Sequence, residues 1–188
     1  MRITCPGFCQ GMFFYGGTIP AEVTAMNGSY ISPVKINLTL RVLSRRPDGY
    51  HEIISLFWKK KGIEGLTIQP HGNENIGDIL DVRGMEISGE NILFRALKWA
   101  RSRSPIIPPL RMRLTKEFPA GSGIGAGSGN AAALLMHLKA YYGLDIENGS
   151  LSAVGADIPF LAGDAGLAMV EGLGEKIRPQ SPLKGLRW

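Results

Sequence analysis

The sequence predicts a chain that mixes β-strands with α-helices around one core, and three observations carry that expectation. Apolar and polar residues alternate over 34–42. Val34, Ile36, Leu38, Leu40 and Val42 share one face and Lys35, Asn37, Thr39 and Arg41 the other, the period of a half-buried strand. Two other segments carry apolar stripes at helical spacing: Ile92, Leu93, Ala96, Leu97 and Ala100, then Ala131, Leu134, Leu135, Leu138 and Tyr142. Between a strand-like run, 110–118, and the second of these stripes lies PAGSGIGAGSGNAA, residues 119–132, in which five of fourteen residues are glycine.

Taken in order, residues 1–25 mix Cys, Gly, Phe and Thr with no period. Met26, followed by the turn residues Asn27, Gly28 and Ser29, is the expected natural start, which makes 1–25 an upstream extension. The 34–42 strand points Lys35 and Asn37 the same way. Arg46, Pro47, Asp48 and Gly49 then supply a tight reversal, so a second strand over 50–58 should return beside the first as a hairpin. Shorter strands are expected at 66–69 and 79–82. Ser88 or Asn91 can cap a helix reaching about Arg103, which Pro105, Pro108 and Pro109 end. Gly143 can terminate the helix after the glycine stretch, and His137, off its apolar stripe, is expected at the surface. Asp157 stands just before Ile158, Pro159 and Phe160. Two short strands, 166–171 and 176–178, are joined by Gly172, Leu173 and Gly174. The sequence stops at Trp188 after a Pro- and Lys-containing stretch, with no closing element.

The glycine stretch carries the chemistry. Glycines at that density let the backbone adopt positive φ and bring its N–H groups against a ligand, and a following helix N-terminus adds partial positive charge. The combination favours an anion, most simply phosphate. A plain tight connection has the same appearance. Gly121, Gly123 and Ala126 also fit a relaxed dinucleotide fingerprint, with Asp145 about 20 residues on where a ribose-binding acid is expected. The GxxxxGK[ST] triphosphate loop is excluded, since the nearest downstream lysine is Lys139.

Composition narrows the classes. A hydrophobic fraction of 44% and a charged fraction of 20% are ordinary for a globular protein. The net charge of +5 suits anionic substrates, but the basic residues are scattered and no aromatic–basic repeat points to nucleic acid. Cys5 and Cys9 cannot complete a four-ligand zinc site, and His51, His71 and His137 are widely spread. Sparse cysteine, no signal-peptide core and no apolar run of ~20 residues imply a cytoplasmic protein without a membrane partner.

Four separated segments, SPVKINLTLRVLSRRPDGYHEI, PAGSGIGAGSGNAA, GADIPF and GLGE, together resemble the 4-diphosphocytidyl-2-C-methyl-D-erythritol kinase family. That family lies in the superfamily of galactokinase, homoserine kinase, mevalonate kinase and phosphomevalonate kinase. The resemblance runs over 26–179 and removes most of the support for the dinucleotide fingerprint. It implies an α+β fold, a mixed sheet with helices on one face and a left-handed βαβ crossover, and ATP-dependent phosphoryl transfer to a hydroxyl of a cytidine-diphosphate-linked methylerythritol in the non-mevalonate route to isoprenoid precursors.

By the same resemblance, Asp157 matches the catalytic acid residue and Lys35 its partner. Pro119, Ala120, Gly121, Ser122, Gly123, Ile124, Gly125, Ala126, Gly127, Ser128 and Gly129 match the loop that holds the ATP phosphates, with the helix from Asn130 aimed at them. Ser128 is the hydroxyl nearest in role to a magnesium contact, Tyr50 and His51 match a cytosine platform, and Asn37 a substrate hydrogen bond. Three departures are visible. Gly129 replaces a usual serine, the stretch between Gly143 and Gly155 is short, and the family's second domain, expected to begin at 180–188, is largely missing. A fragment or a truncated form of poor activity is therefore expected. A non-catalytic nucleotide-binding remnant and a sister kinase of the homoserine or mevalonate type remain alternatives.

Overall fold

A computed structural model describes residues 26–181, except 46–48, 50, 72, 74, 88 and 148–149. Tyr50, the 1–25 extension and 182–188 lie outside the described residues. The elements in order are β1 (Gly28–Arg45), β2 (His51–Pro70), β3 (Ile79–Gly84), α1 (Ile92–Arg101), β4 (Leu110–Lys116), α2 (Ala126–Tyr142), a 3-10 turn (Ser150–Ala153), α3 (Ile158–Ala162), β5 (Leu167–Gly172) and β6 (Lys176–Pro179).

The six strands form one mixed sheet in the order β3-β4-β2-β5-β6, with β1 also on β2. Its spine is β2, which pairs with β1 along its length. Leu66 of β2 has both Tyr30 and Leu114 as partners, and Phe57 has both Asn37 and Ala168. Hence β4 and β5 share the edge of β2 that faces away from β1. Among the described residues only β3 and β4 run parallel, joined through α1, which makes this an α+β fold with a mixed sheet as expected. The hairpin strand and the 66–69 segment are one strand of 20 residues instead of two.

Strand β4 shows how the core is built. Leu110, Met112, Leu114 and Lys116 are buried, whereas Arg113 and Thr115 between them are exposed, so its inner face meets the helices. Those apolar residues join Leu93, Ala96 and Leu97 of α1, Leu134, Leu135 and Leu138 of α2 and Phe160 of α3 in one cluster. Asn91 caps α1, its side-chain oxygen accepting from Leu93 N at 2.9 Å. At the other end, Arg101 donates twice to Asp78, which also accepts from Leu110 N. Burial acts to raise the Asp78 carboxyl, but these donors hold it below the ordinary aspartate range.

Two expectations about faces need correction. Of the apolar row of β1 only Val34 is buried: Ile36 is 40%, Leu40 58% and Val42 55% exposed, while Lys35 is only 7% exposed. Lys35 and Asn37 pair with Lys59 and Phe57 and share their helix-facing side. A register shift between Asn37 and Thr39 then brings Leu40, opposite buried Ser55, onto that same side, at a stretch of hairpin that extends past the helices. Alternation establishes a period and says nothing about which face is covered.

His137 is likewise buried, 1% exposed, because α2 packs against α1, α3 and the sheet at once. Its Nδ1 shares a 2.8 Å hydrogen bond with the Tyr30 hydroxyl, and Tyr141 lies 4.7 Å from its ring. The helix starts at Ala126, four residues before the expected Asn130, and Gly143 ends it at φ 61° as expected. Among the described residues no helix is long and apolar enough to cross a membrane.

Position 129 explains the departure from serine noted above. A Cβ built on Gly129 would sit 1.8 Å from the Pro33 carbonyl oxygen, so α2 and β1 approach as closely as they do only because no side chain is present. Gly129→Ala should therefore destabilise the protein by about 3 kcal/mol, measurable by denaturant titration. Burial also lowers the His137 pKa from 6.5 to about 4. A depressed histidine contributes stability that is present above pH 6.5 and lost as pH falls through about 4. The loss should approach about 3 kcal/mol, and His137→Gln should flatten the stability profile across that window, tested by denaturation at pH 7 and pH 4.

Candidate active site

The glycine stretch opens onto a cleft of about 460 Å³ at the edge of the helical layer. Gly121, Gly123 and Gly125 have φ of 79°, 79° and 68°, the left-handed backbone that their spacing predicted. Gly125 is the N-cap of α2 and no side chain caps that end. The first intrahelical bond runs from Gly129 N to Gly125 O at 2.8 Å, so the amides of Ala126, Gly127 and Ser128 precede it and have no partner within the helix. Residues 126–128 all line the cleft, and so does Asn91 at the start of α1, so two helix N-termini face one space. Of the expected loop, Ile124 and Gly129 do not line it: Ile124 uses its carbonyl to accept from Lys35 N at 2.9 Å, and Gly129 faces Pro33.

A buried carboxylate holds this loop at both ends. Glu64, 1% exposed, accepts from Lys116 Nζ at 2.5 Å, from the Phe118 amide at 3.0 Å and from the Glu117 amide at 3.2 Å. Its second oxygen accepts from Asn130 Nδ2 at 2.7 Å. Burial alone would raise the Glu64 carboxyl, but its donors hold it below the ordinary glutamate range. This residue was not foreseen. It sits in a β-strand between glycines and reads as an exposed acid until β4 and α2 are folded around it.

Lys35 and Asp157 meet at the floor of the cleft, Nζ to Oδ2 3.7 Å apart. Lys35 also donates to Asn37 Oδ1 at 2.7 Å, and Asn37 donates to Ser55 Oγ at 2.9 Å, which in turn bonds the Thr39 carbonyl. Asn37 thus spends its oxygen and one of its amide hydrogens on orienting Lys35. Asp157 is the N-cap residue of the short α3, yet its side chain makes no capping bond. Burial pushes its carboxyl above the ordinary aspartate range, and the Lys35 charge partly offsets this. Gly125 touches both: a Cβ there would lie 3.1 Å from Asp157 Oδ2 and 3.3 Å from Lys35 Cγ. The two ends of the sequence-predicted pair, 122 residues apart, and the glycine loop therefore converge on one point.

His51 does not join them. It is exposed at the start of β2, eight residues from Lys59, the partner of Lys35, a strand length of up to about 26 Å. Ser128 lines the cleft in the first turn of α2. No group of three or more His, Cys, Asp or Glu side chains suited to a metal occurs among the described residues. The oxygen-bearing side chains that line the cleft are those of Ser122, Ser128, Glu90, Asn91, Asn130 and Asp157.

Comparison with known proteins follows the same outline. Residues 91–167, from the cap of α1 into β5, match the GHMP kinases N terminal domain. A 4-diphosphocytidyl-2-C-methyl-D-erythritol kinase of Persephonella marina is 34% identical over 151 residues, 78% of this chain and 54% of that protein. One from Pseudothermotoga lettingae is 38% identical over 162 residues, 81% of this chain and 55% of that protein. A crystal structure of 4-(cytidine 5'-diphospho)-2C-methyl-D-erythritol kinase superposes with a TM-score of 0.66 at 31% identity, covering 86% of this chain and 61% of that one. The chain spans about half the length of the relatives it matches. Its fold is that of the GHMP kinase N-terminal domain, and over most of its length it is similar to the 4-diphosphocytidyl-2-C-methyl-D-erythritol kinases.

Proposed function

We propose that the protein to which this chain belongs is an ATP-dependent small-molecule kinase whose acceptor is a hydroxyl of 4-diphosphocytidyl-2-C-methyl-D-erythritol, serving isoprenoid precursor synthesis in the cytoplasm. The observation that carries this reading is the Lys35–Asp157 pair, 3.7 Å apart, set against Gly125 at the mouth of an open helix N-terminus. The named relatives supply the acceptor. ATP would bring the transferred phosphoryl group, and magnesium the neutralisation of its charge.

The residues of this chain then have separate tasks. The amides of 126–128 and the positive-φ turns at Gly121 and Gly123 give a cradle of fixed dipoles for phosphate oxygens, at no reorganisation cost. Nothing lies within 4 Å of a Cβ built on Gly121 or Gly123, so that side of the turn is open to a ligand. Asp157 accepts the proton of the acceptor hydroxyl as its oxygen attacks, and the burial that raises its pKa strengthens it as a base. Lys35 keeps that carboxylate ionised and faces the negative charge that develops. Ser128 is the side chain on hand for a metal. Tyr50 and His51 are assigned to the cytosine end of the acceptor; His51, eight strand residues from Lys59, is away from the Lys35–Asp157 pair, which suits a long substrate.

Asp157→Asn in the full-length protein should lower kcat by about 10²–10⁴ while leaving the nucleotide Kd within about twofold, read by a coupled assay and calorimetry. The acid limb of kcat/KM should lie above the ordinary aspartate value of 3.8, because a carboxyl with raised pKa loses its base form at higher pH. Lys35→Met should move that limb higher still, since the lysine is what lowers it. Glu64→Gln leaves Lys116 without its counter-charge. It should destabilise the fold by about 3 kcal/mol and weaken ATP binding about tenfold, seen as a lower thermal midpoint and a larger calorimetric Kd.

A further inference from the structure

We propose that Lys59 is a positioning residue, which by holding the C-terminal end of α3 sets the approach of Asp157 to Lys35. The inference deepens the kinase reading above and rests on it for the chemistry of that pair. Lys59 lies directly opposite Lys35 in the β1–β2 ladder, so both side chains leave the sheet on the helix-facing side. The Lys59 ammonium donates to the carbonyl of Gly163, the C-cap residue of α3, and lies 5.2 Å from the centre of the Phe160 ring within that helix. Its backbone amide donates to Gly166 O at 2.8 Å, fastening the segment that follows.

The need for an anchor comes from α3 itself. Five residues are far too few for a helix to persist on its own, and the Asp157 side chain makes no bond within it. Its orientation must be imposed from outside. One support is apolar, since Ile158, Phe160 and Leu161 are buried. The other is polar and runs through Lys59, a cation at the negative end of the helix. An aromatic relay joins the two lysines: Lys35 Nζ sits 4.6 Å from the Phe57 ring centre, Phe57 meets Phe160 edge-on at 5.4 Å, and Lys59 sits over Phe160. The stack couples the strand that carries Lys35 to the helix that carries Asp157. Burial draws the Lys59 ammonium below the ordinary lysine range, with the charge of Asp164 acting against that, as expected of a cation placed for contact with the fold.

The test compares Lys59→Met and Lys59→Arg in the full-length protein with two readouts. One is the Asp157 carboxyl titration midpoint by ¹³C NMR, and the other is steady-state kinetics with magnesium ATP and the cytidylyl substrate. Lys59→Met, which keeps the apolar stem and removes the donor, should raise the Asp157 midpoint by about half a unit or more as Lys35 recedes. It should also lower kcat about tenfold with the KM for ATP within about twofold, and Lys59→Arg should restore both. An unchanged midpoint and kcat in Lys59→Met, or equal losses in the methionine and arginine variants, would overturn the proposal. If the methionine variant does not fold, Lys59→Gln, whose amide falls short of Gly163, is read in the same way. The two readings separate cleanly. A midpoint that Lys59→Met shifts, when the wild-type protein shows no transfer activity, sinks the kinase and keeps the positioning role, whereas a midpoint that Lys59→Met leaves unmoved, in a protein that Asp157→Asn inactivates, does the reverse.

Discussion

The site depends on one buried carboxylate. Glu64 reaches from the middle of β2 to the end of β4, to the two amides that lead into the glycine loop and to Asn130 in the first turns of α2. A glycine-rich loop has little conformational preference of its own, and its entropy must be offset by contacts at its ends. Burying an acid and a lysine together costs desolvation energy that their attraction repays only when the remaining lone pairs are satisfied. Here three further donors satisfy them. The ion pair is thus better understood as fixing where the loop begins and ends than as a source of net stability.

The Lys35–Asp157 pair makes the opposite use of burial. Glu64 is surrounded by donors and held below its ordinary range, while Asp157 has one cation at 3.7 Å and too few partners to offset its desolvation. Two carboxylates in one small domain are therefore driven apart in proton affinity by their surroundings alone. One is held ionised among its donors, and the other has its pKa raised beside the N-terminus of α2. Such divergence is the physical signature by which acid–base residues are told from scaffolding ones.

Much of the fold could be read along the chain. The glycine turn with its positive φ, the Asn91 cap, the Gly143 stop and the short strands around Gly172 all answer to local rules, because each depends on residues within a few positions of itself. The site was legible in part and by a different route. Lys35, Asp157 and the loop were picked out by their joint motif context, and the geometry brings them together. Glu64, Ser55 and Lys59 carried no signal, since each acts on a partner at least 16 residues away.

The amino-acid sequence by itself determined the periods, the turns and the identity of the loop, since these follow from backbone sterics and side-chain spacing. Only the tertiary structure decided which face of β1 is covered, that His137 is enclosed, and that position 129 must lack a side chain because Pro33 lies against it. Those outcomes depend on which element packs on which, and a bulge after Asn37 or a helix buried on several sides leaves no trace in the local pattern.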